Sequence, residues 1–249
     1  MSIRLGVIGA KGRMGKQVID CALQNANFSL DLALTSEKHT YDHPHIETPV
    51  KLFPSAARCL EENIKLPKVD VFIDFSTQKA LIDNLRLAQL YKTPIVIGTT
   101  GISEKEYEEI TKAAKEIPVF WAPNFSIGIA ASIHTAKHLS KILKDFTTSI
   151  TETHHIHKKD APSGSAISIQ KALAQEGVQA AITSIREGEI LGKHTLVFTG
   201  KHETLTLTHE ALSREAFAEG SLNAAKFLMD KAPGLYQMDD LLNLAIQTS

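Results

Sequence analysis

The chain has 249 residues, of which 43% are hydrophobic, enough to form the core of one large domain or two modest ones. The formal net charge is -1, so the chain lacks the overall positive charge that is typical of proteins that bind nucleic acids or membrane surfaces. No apolar run reaches the roughly 18 residues that a membrane span needs. Two cysteines without a CxxC motif, Cys21 and Cys59, and the absence of a signal peptide indicate the cytoplasm.

The first elements are a strand over residues 3–8, a glycine turn and a helix. The turn reads Gly9-Ala-Lys-Gly-Arg-Met-Gly15, a GxxGxxG variant of the dinucleotide fingerprint. Gly9 would allow the tight turn, Gly12 the approach of a pyrophosphate, and Gly15 the close packing of helix on strand. The motif therefore predicts a bound dinucleotide, although a plain turn between strand and helix would also use glycine.

The end of the second strand, residues 28–34, bears on which dinucleotide binds. An enzyme that prefers NAD usually carries an acid there for the ribose 2′-hydroxyl. This chain instead has Thr35-Ser-Glu-Lys38, and the glycine loop carries Lys11 and Arg13. The pattern predicts tolerance of, or preference for, the 2′-phosphate of NADP(H).

Strands and helices go on alternating to about residue 125, after an irregular stretch over residues 39–67. Strands are predicted at 69–74, 94–97 and 119–121. Helices are predicted at 78–91, with Thr77 as its N-cap, and at 103–115, with Ser103 and Glu106 as a capping box. This alternation predicts a Rossmann-like, doubly wound parallel sheet, which binds ligands beyond the carboxyl ends of its strands. Four segments lie at such ends: Gly9–Gly15, Asp74–Thr77, Gly98–Gly101 and Ala122–Phe125.

The second half follows a different pattern. A helix is predicted over residues 128–143, where the i,i+4 pair His134 and His138 is interpreted as ordinary helix surface because no HExxH acid accompanies it. A strand ending near residue 150 and strands at 180–185, 195–198 and 204–209 predict an α+β domain, because the alternation of strand and helix stops there. Its sheet is expected to be open and mixed or antiparallel, with one face packed or used in assembly. Helices are predicted at 214–230 and 238–246.

The chemistry is concentrated in Glu152-Thr-His-His-Ile-His-Lys-Lys-Asp-Ala-Pro-Ser-Gly-Ser165. His154, His155 and Lys158 can transfer protons or receive an anion near neutral pH. The amide groups of the helix that starts near Ser163 would bind an anion. The motif predicts a small carboxylated or phosphorylated substrate that gains or loses a proton. Surface histidines are one alternative. A metal site is another, but neighbouring residues of an extended segment point opposite ways and the lysine repels a cation.

These motifs, with Asn124-Phe-Ser126 and Arg186–His194, resemble those of the 4-hydroxy-tetrahydrodipicolinate (dihydrodipicolinate) reductase family. The resemblance implies an NAD(P)H-dependent reduction, with loss of water, that yields tetrahydrodipicolinate in lysine and diaminopimelate biosynthesis. It implies a dinucleotide-binding domain over residues 1–125, completed by 213–249, and a substrate-binding, tetramerisation domain over 126–212. By motif position, His154 and Lys158 would be catalytic, and His155, Gly164 and Ser165 would bind the substrate. The implied cofactor contacts are Gly9, Ala10, Lys11, Gly12, Arg13, Met14, Gly98, Thr99, Thr100, Ala122, Pro123, Asn124 and Phe125.

The chain departs from the family pattern at three places. Thr35-Ser36 replaces an acid followed by arginine, Ser165 replaces threonine, and Ile156 replaces an arginine between the histidines. Other functions remain open on the sequence alone: a nucleotide sensor without chemistry, a metal-dependent hydrolase that a chelator would inhibit, or an aldehyde reductase of the same fold.

Overall fold

The computed structural model describes residues 2–36 and 52–247, with side chains to residue 244. The chain divides into two compact units, the first formed by Met1–Phe125 and Phe217–Ser249 and the second by Ser126–Ala216. From the sequence, the chain is expected to rejoin the first unit at residue 213, four residues before Phe217. The predicted cofactor-selecting residues Glu37 and Lys38 lie outside the described residues. Within the described ranges, no helix is long and apolar enough to cross a membrane.

The first unit is a seven-stranded sheet with helices. Its strands are β1 (Ile3–Ile8), β2 (Phe28–Leu34), β3 (Leu52–Phe53), β4 (Val71–Asp74), β5 (Ile95–Ile97), β6 (Pro118–Trp121) and β11 (Gly234–Tyr236), in the order β11-β6-β5-β4-β1-β2-β3. All six pairings are parallel. Its helices are α1 (Arg13–Leu23), α2 (Ala56–Glu61), α3 (Leu81–Tyr91), α4 (Glu104–Ala113), α8 (Met238–Gln247) and most of α7 (Glu215–Leu228). The strand order reverses beside β1, as in doubly wound nucleotide-binding sheets.

Most predicted elements of this unit are confirmed, including the Ser103–Glu106 capping box at the start of α4. Thr77 has the predicted N-cap position, but the helix begins as a short 3-10 turn (Gln78–Ala80) that precedes α3, and the Thr77 side chain makes no capping hydrogen bond within the described residues. The stretch considered irregular contains β3 and α2. β3 and β11 have only two and three residues, too few for a periodic pattern.

The second unit is a four-stranded mixed sheet covered by two helices. Its strands are β7 (Thr147–His154), β8 (Ala180–Arg186), β9 (Lys193–Thr199) and β10 (Thr204–Glu210), in the order β10-β9-β7-β8; its helices are α5 (Ile127–Ile142) and α6 (Gly164–Gln175). The pairings β10–β9 and β9–β7 are antiparallel. The expectation that strand–helix alternation ends before this unit is wrong at one place, because β7, α6 and β8 form a parallel crossover.

One face of this sheet carries the core of the unit. Side chains of alternate residues, among them Ile150, Leu196 and Phe198, pack with α5 and α6. The opposite face is rich in threonine and open to solvent or half-buried, with Val197 near its centre. In β10, apolar and polar residues alternate along the sequence. The apolar residues thus lie on the face that the helices cover, and the threonines lie on the open face.

Candidate active site

The predicted nucleotide segments follow four neighbouring strands of the first unit. They begin where β1, β4, β5 and β6 end, and these strands are adjacent in the sheet. Because all of the strands are parallel, their carboxyl ends lie along one edge. Every candidate cofactor contact predicted from the sequence therefore lies at that edge, which is where doubly wound sheets bind ligands.

The glycine loop after β1 has the geometry that a dinucleotide turn requires. Gly9 has a φ of +79°, and a Cβ there would lie 2.8 Å from the backbone of Phe75. A Cβ on Gly15 would lie 2.2 Å from the Gly9 carbonyl oxygen, so only glycine allows α1 to start this close to β1. Gly12 is the exposed N-cap of α1, and no side chain of the described residues caps it. The amide groups of the first turn are thus available to a phosphate.

The exits of β4 and β5 pack tightly against each other. Asp74 is fully buried and accepts hydrogen bonds from the Ser76 backbone N–H and the Asn84 side-chain amide, both at 2.8 Å. Burial raises the pKa of Asp74, and these hydrogen bonds oppose that shift. The Phe75 ring fills the space beside Gly98, where a Cβ would lie 2.1 Å from a ring atom. The hydrogen bonds of Asp74 therefore hold the turn that carries Phe75. The Phe75 ring in turn leaves room only for glycine at residue 98.

Thr99, a candidate cofactor contact at the β5 exit, has an unsatisfied hydroxyl. The residue is 4% exposed, and its Oγ1 has no hydrogen-bond partner within the described part of the chain. A buried hydroxyl without a partner is uncommon in folded proteins. Together with the glycine loop, this atom makes the edge of the first sheet fit a bound dinucleotide.

In the second unit, the covered face of the sheet becomes polar at one end. Glu152 on β7 lies opposite His194 on β9, which lies opposite His209 on β10. His154 lies two residues beyond Glu152 on the same face, opposite Arg186 on β8. This row of polar side chains borders the apolar core, and Glu152, His154 and His194 are all buried.

Glu152 is the charged centre of this group. It is 0% exposed and receives two hydrogen bonds from Arg186, from Nη2 to Oε1 at 2.9 Å and from Nη1 to Oε2 at 3.1 Å. Its Oε2 also makes a short hydrogen bond with Nδ1 of His154. Burial tends to raise the pKa of Glu152, but the hydrogen bonds from Arg186, Ser184 and His154 outweigh it and hold that pKa at about 2. Glu152 is therefore a carboxylate at neutral pH.

His154 is the last residue of β7 and has several charged neighbours. Burial lowers the pKa of His154, and the positive charges of Lys158 and Arg186 lower it further, while the Glu152 carboxylate opposes the shift. The net direction is downward, so the imidazole is neutral at physiological pH. A neutral imidazole beside a carboxylate can accept or pass on a proton.

The loop after β7 presents the other predicted side chains. Lys158 Nζ lies 2.9 Å from Asp160 Oδ1, and the Lys158 side chain is 22% exposed. The His155 backbone N–H donates to the Ile190 carbonyl at 2.6 Å, which ties the loop to the segment after β8. His157 is exposed, and its ring lies near that of His155, with centroids 6.2 Å apart. His154 and Lys158 thus belong to one electrostatic group, whereas His157 is at the surface.

The predicted helix start is confirmed at Ser163, the N-cap of α6. Its hydroxyl accepts the Ala166 backbone N–H at 3.2 Å, a cap that is typically worth about 1 kcal/mol. Its backbone N–H donates to Glu152 Oε1 at 3.2 Å, and its hydroxyl lies 3.1 Å from His194 Nε2. The candidate substrate contacts Gly164 and Ser165 are the first residues of α6, so they lie next to the Glu152 group.

Two further histidines complete the polar row. The ring of His194 lies 5.3 Å from that of His154 and 6.5 Å from that of His209, and Ser126, the N-cap of α5, bonds to His209. Burial and the nearby histidines lower the pKa of His194 to about 4, and burial also lowers that of His209. Within the described residues, the Nδ1 atoms of His194 and His209 have no hydrogen-bond partner. Both rings are neutral at pH 7.

The described residues contain no group of three histidine, cysteine, aspartate or glutamate side chains arranged to hold a metal ion. His134 and His138 are both exposed on α5.

Sequence reasoning missed the partners of the central motif. From the sequence, Glu152 is part of the motif without a role of its own. Arg186 and His194 are named only as the ends of a family-like segment, and His209 only as the end of a predicted strand. Arg186 lies 34 residues after Glu152 and meets it through the pairing of β7 with β8. The available signal was the i,i+2 spacing of Glu152 and His154, which puts both on one face of a strand. The sequence predicts a strand that ends near residue 150, whereas β7 continues to His154.

Two family models match the chain along almost its whole length. The model described as "Dihydrodipicolinate reductase, N-terminus" matches residues 3–125, and "Dihydrodipicolinate reductase, C-terminus" matches residues 128–242.

Individual relatives agree with these models. The chain is 35% identical over 240 residues to the 4-hydroxy-tetrahydrodipicolinate reductase of Xylella fastidiosa (strain M23), covering 96% of this chain and 98% of the relative. It is 36% identical over 271 residues to the enzyme of the same name from Aquifex aeolicus, covering 98% and 100%. Its fold matches dipicolinate-bound dihydrodipicolinate reductase from Paenisporosarcina sp. TG-14, with a TM-score of 0.79, 23% identity, and coverage of 95% and 98%.

Proposed function

The chain belongs to the dihydrodipicolinate reductase family, and on that basis we propose that it is an NAD(P)H-dependent 4-hydroxy-tetrahydrodipicolinate reductase. The reaction removes water from 4-hydroxy-tetrahydrodipicolinate and adds a hydride and a proton to the resulting dihydrodipicolinate, which gives tetrahydrodipicolinate. This step serves lysine and diaminopimelate biosynthesis. The observation that carries the proposal is the buried Glu152–His154 pair, next to Lys158 and to the start of α6.

The first unit would hold the cofactor, a reduced pyridine nucleotide, which supplies the hydride when it is bound. The backbone of Gly9–Met14 would receive the pyrophosphate, because the turn is tight and the amide groups of α1 are uncapped. Gly98–Thr100 and Ala122–Phe125 would line the same edge, where Thr99 offers an unsatisfied hydroxyl.

The second unit would hold and protonate the substrate. The amide groups of Gly164 and Ser165 at the start of α6 would bind a substrate carboxylate, with His155 as a further contact. The Lys158 ammonium would give a proton to the reduced ring as negative charge develops, and His154 would accept or donate protons beside it. A dicarboxylate suits this site because a helix start and a lysine both attract anions.

The cofactor preference that we propose is NADPH, with NADH tolerated. β2 is followed by Thr35 and exposed Ser36 rather than by an acid, and the glycine motif contributes exposed Arg13. A 2′-phosphate would meet no carboxylate at residues 35 and 36. The site of action that we propose is the cytoplasm, where the biosynthetic reaction belongs.

The assembly that we propose is a homotetramer formed through the open face of the second-unit sheet. That face carries threonines on all four strands, with half-buried Val197 near its centre. A sheet face that no helix of the described residues covers, and that mixes threonine with aliphatic side chains, suits packing against an identical face.

The experiment that tests the function follows nicotinamide absorbance after freshly generated 4-hydroxy-tetrahydrodipicolinate is added to the protein and NADPH. We expect oxidation that depends on both protein and substrate and that a chelator does not abolish. Cofactor binding without oxidation would favour a nucleotide sensor, and oxidation with simple aldehydes alone would favour an aldehyde reductase. Either result would overturn the proposal.

A further inference from the structure

The oxygens of the Glu152 carboxylate are fully engaged. Oε1 accepts from Arg186 Nη2 at 2.9 Å and from the Ser163 backbone N–H at 3.2 Å. Oε2 accepts from Arg186 Nη1 at 3.1 Å and bonds to Nδ1 of His154. One buried side chain thus contacts the end of β7, the end of β8 and the start of α6.

Arg186 is engaged to the same degree. Besides Glu152, it donates from Nε to the Lys158 carbonyl at 3.3 Å, from Nη2 to the Asp160 carbonyl, and from Nη1 to the Ile185 carbonyl at 2.7 Å. These bonds account for all five N–H groups of a guanidinium. Two of the five hold the backbone of the loop that carries Lys158.

We propose that Glu152 and Arg186 are the positioning residues of this site, Glu152 by fixing the tautomer of His154 and Arg186 by holding the Lys158–Asp160 turn. The inference rests on the proposed function only in that it makes His154 and Lys158 the groups that act on substrate. Because Glu152 is a carboxylate, the proton of neutral His154 lies on Nδ1. Nε2 is then the free acceptor, on the side next to Gly192.

The charges around His154 set the direction of the pH effect. The groups that face it are Glu152 on its own strand, Lys158 in the following loop, Arg186 on β8 and His194 on β9. Lys158 and Arg186 lower the pKa of His154, neutral His194 adds no charge at pH 7, and only Glu152 raises it. Removing the negative charge of Glu152 should therefore lower the pKa of His154 further.

A purely structural ion pair is the alternative reading. A buried carboxylate–guanidinium pair adds little net stability over well-packed apolar side chains, because both ions lose their hydration. A structural pair also has no need of the two loop carbonyls or of an imidazole. Here Arg186 donates two hydrogen bonds to loop carbonyls, and Glu152 accepts one from His154. The ion pair therefore contacts both groups that are proposed to act on the substrate.

The Glu152 part is tested by nitrogen NMR of the imidazole of His154 in the protein without substrate. We expect the Nδ1–H tautomer in the unchanged protein, and a lower pKa with loss of that tautomer preference in Glu152→Gln. Because Glu152→Gln leaves Arg186 unpaired, the double variant Glu152→Gln/Arg186→Met keeps the test open if the single variant does not fold. Glu187→Gln, at an exposed neighbouring position, is the matched control.

The Arg186 part is tested by amide hydrogen exchange across residues 156–163 in Arg186→Met and Arg186→Lys. We expect exchange in the loop to accelerate by tenfold or more in both variants. Methionine has no hydrogen-bond donor, and lysine has three in place of the five of arginine. The kcat should fall by a similar factor, while the affinity for NADPH stays unchanged. An Nε2–H tautomer in the unchanged protein, or unchanged His154 titration and loop exchange in folded variants, would overturn the inference. Absence of turnover in the unchanged protein would instead count against the proposed function.

Discussion

Gly192 lies directly against His154: a Cβ built on Gly192 would be 3.0 Å from Nε2 of the imidazole. Nε2 is the nitrogen that does not bond to Glu152, so it is the one that the proposed reaction would use. The φ of Gly192 is not in the left-handed range, so backbone strain does not explain a glycine there. The close approach of the His154 ring explains it, because a side chain at residue 192 would crowd Nε2.

Gly192→Ala should therefore reduce activity without unfolding the protein. The added methyl group would push the imidazole by a few tenths of an ångström, and displacements of this kind at a reacting group cost about tenfold or more in rate. We expect kcat/KM to fall by about tenfold, with the melting temperature and NADPH affinity nearly unchanged. Full activity in a folded Gly192→Ala variant would show that Nε2 needs no such clearance.

Ser36→Asp should shift the cofactor preference towards NADH. A carboxylate at exposed residue 36, two residues after β2, would repel a 2′-phosphate and could bond to a ribose 2′-hydroxyl. We expect kcat/KM with NADPH to fall by about tenfold or more, and that with NADH to be unchanged or to rise. Gln24→Glu adds the same charge at the far end of α1, roughly 15 Å along the helix, and should have no effect. A strong preference for NADH in the unchanged protein would refute the NADPH assignment.

His194 should make the folded protein less stable in moderate acid. Its pKa is about 4 in the folded protein against an ordinary 6.5, so below pH 6.5 the unfolded chain takes up a proton that the folded chain refuses. This stabilisation is complete above pH 6.5 and is lost as the pH falls towards 4. His154 and His209 shift in the same direction.

Urea unfolding at about pH 7 and about pH 4.5 measures this effect. Between these values, His194→Gln should lose about 2 kcal/mol less of its free energy of unfolding than the unchanged protein. His202→Gln, at an exposed site, should behave like the unchanged protein. An identical loss in both variants would mean that His194 is not the group that resists protonation.

Val197→Asp should dissociate the proposed homotetramer. Val197 lies near the centre of the open sheet face, where the new carboxylates, one from each of the four chains, would be buried in a symmetric interface. Light scattering should give four times the chain mass of 27.3 kDa for the unchanged protein and a smaller species for the variant. Ala174→Asp, on an exposed position of α6, should leave the mass unchanged. A monomer before any substitution would rule out the tetramer.

The sequence was most informative where structure depends on neighbours along the chain. The glycine turn, the capping box at Ser103 and the helix start at Ser163 are local patterns, and the structure has all three. Elements of two or three residues, such as β3 and β11, carry no period to detect.

The side chains that contact His154 from other strands could not be predicted from the sequence, for a different reason. Glu152 faces His194 through an antiparallel register, and Arg186 faces His154 through a parallel one. Single residues of a sequence do not specify either register, and a slip of one residue would turn each side chain to the opposite face. Only the same-strand pair, Glu152 and His154, was implied by spacing.

Single-turnover reduction by Lys158→Ala, with Lys159→Ala as its matched control, tests the central claim most directly, because it measures the chemical step apart from product release. Lys158 lies with His154 in one charged group, whereas neighbouring Lys159 is exposed. We predict that Lys158→Ala loses about 10²–10⁴ in rate, the usual worth of a general acid, while it stays folded and binds NADPH. Lys159→Ala should stay within a few-fold of the unchanged protein. Near-normal reduction by Lys158→Ala would contradict the account.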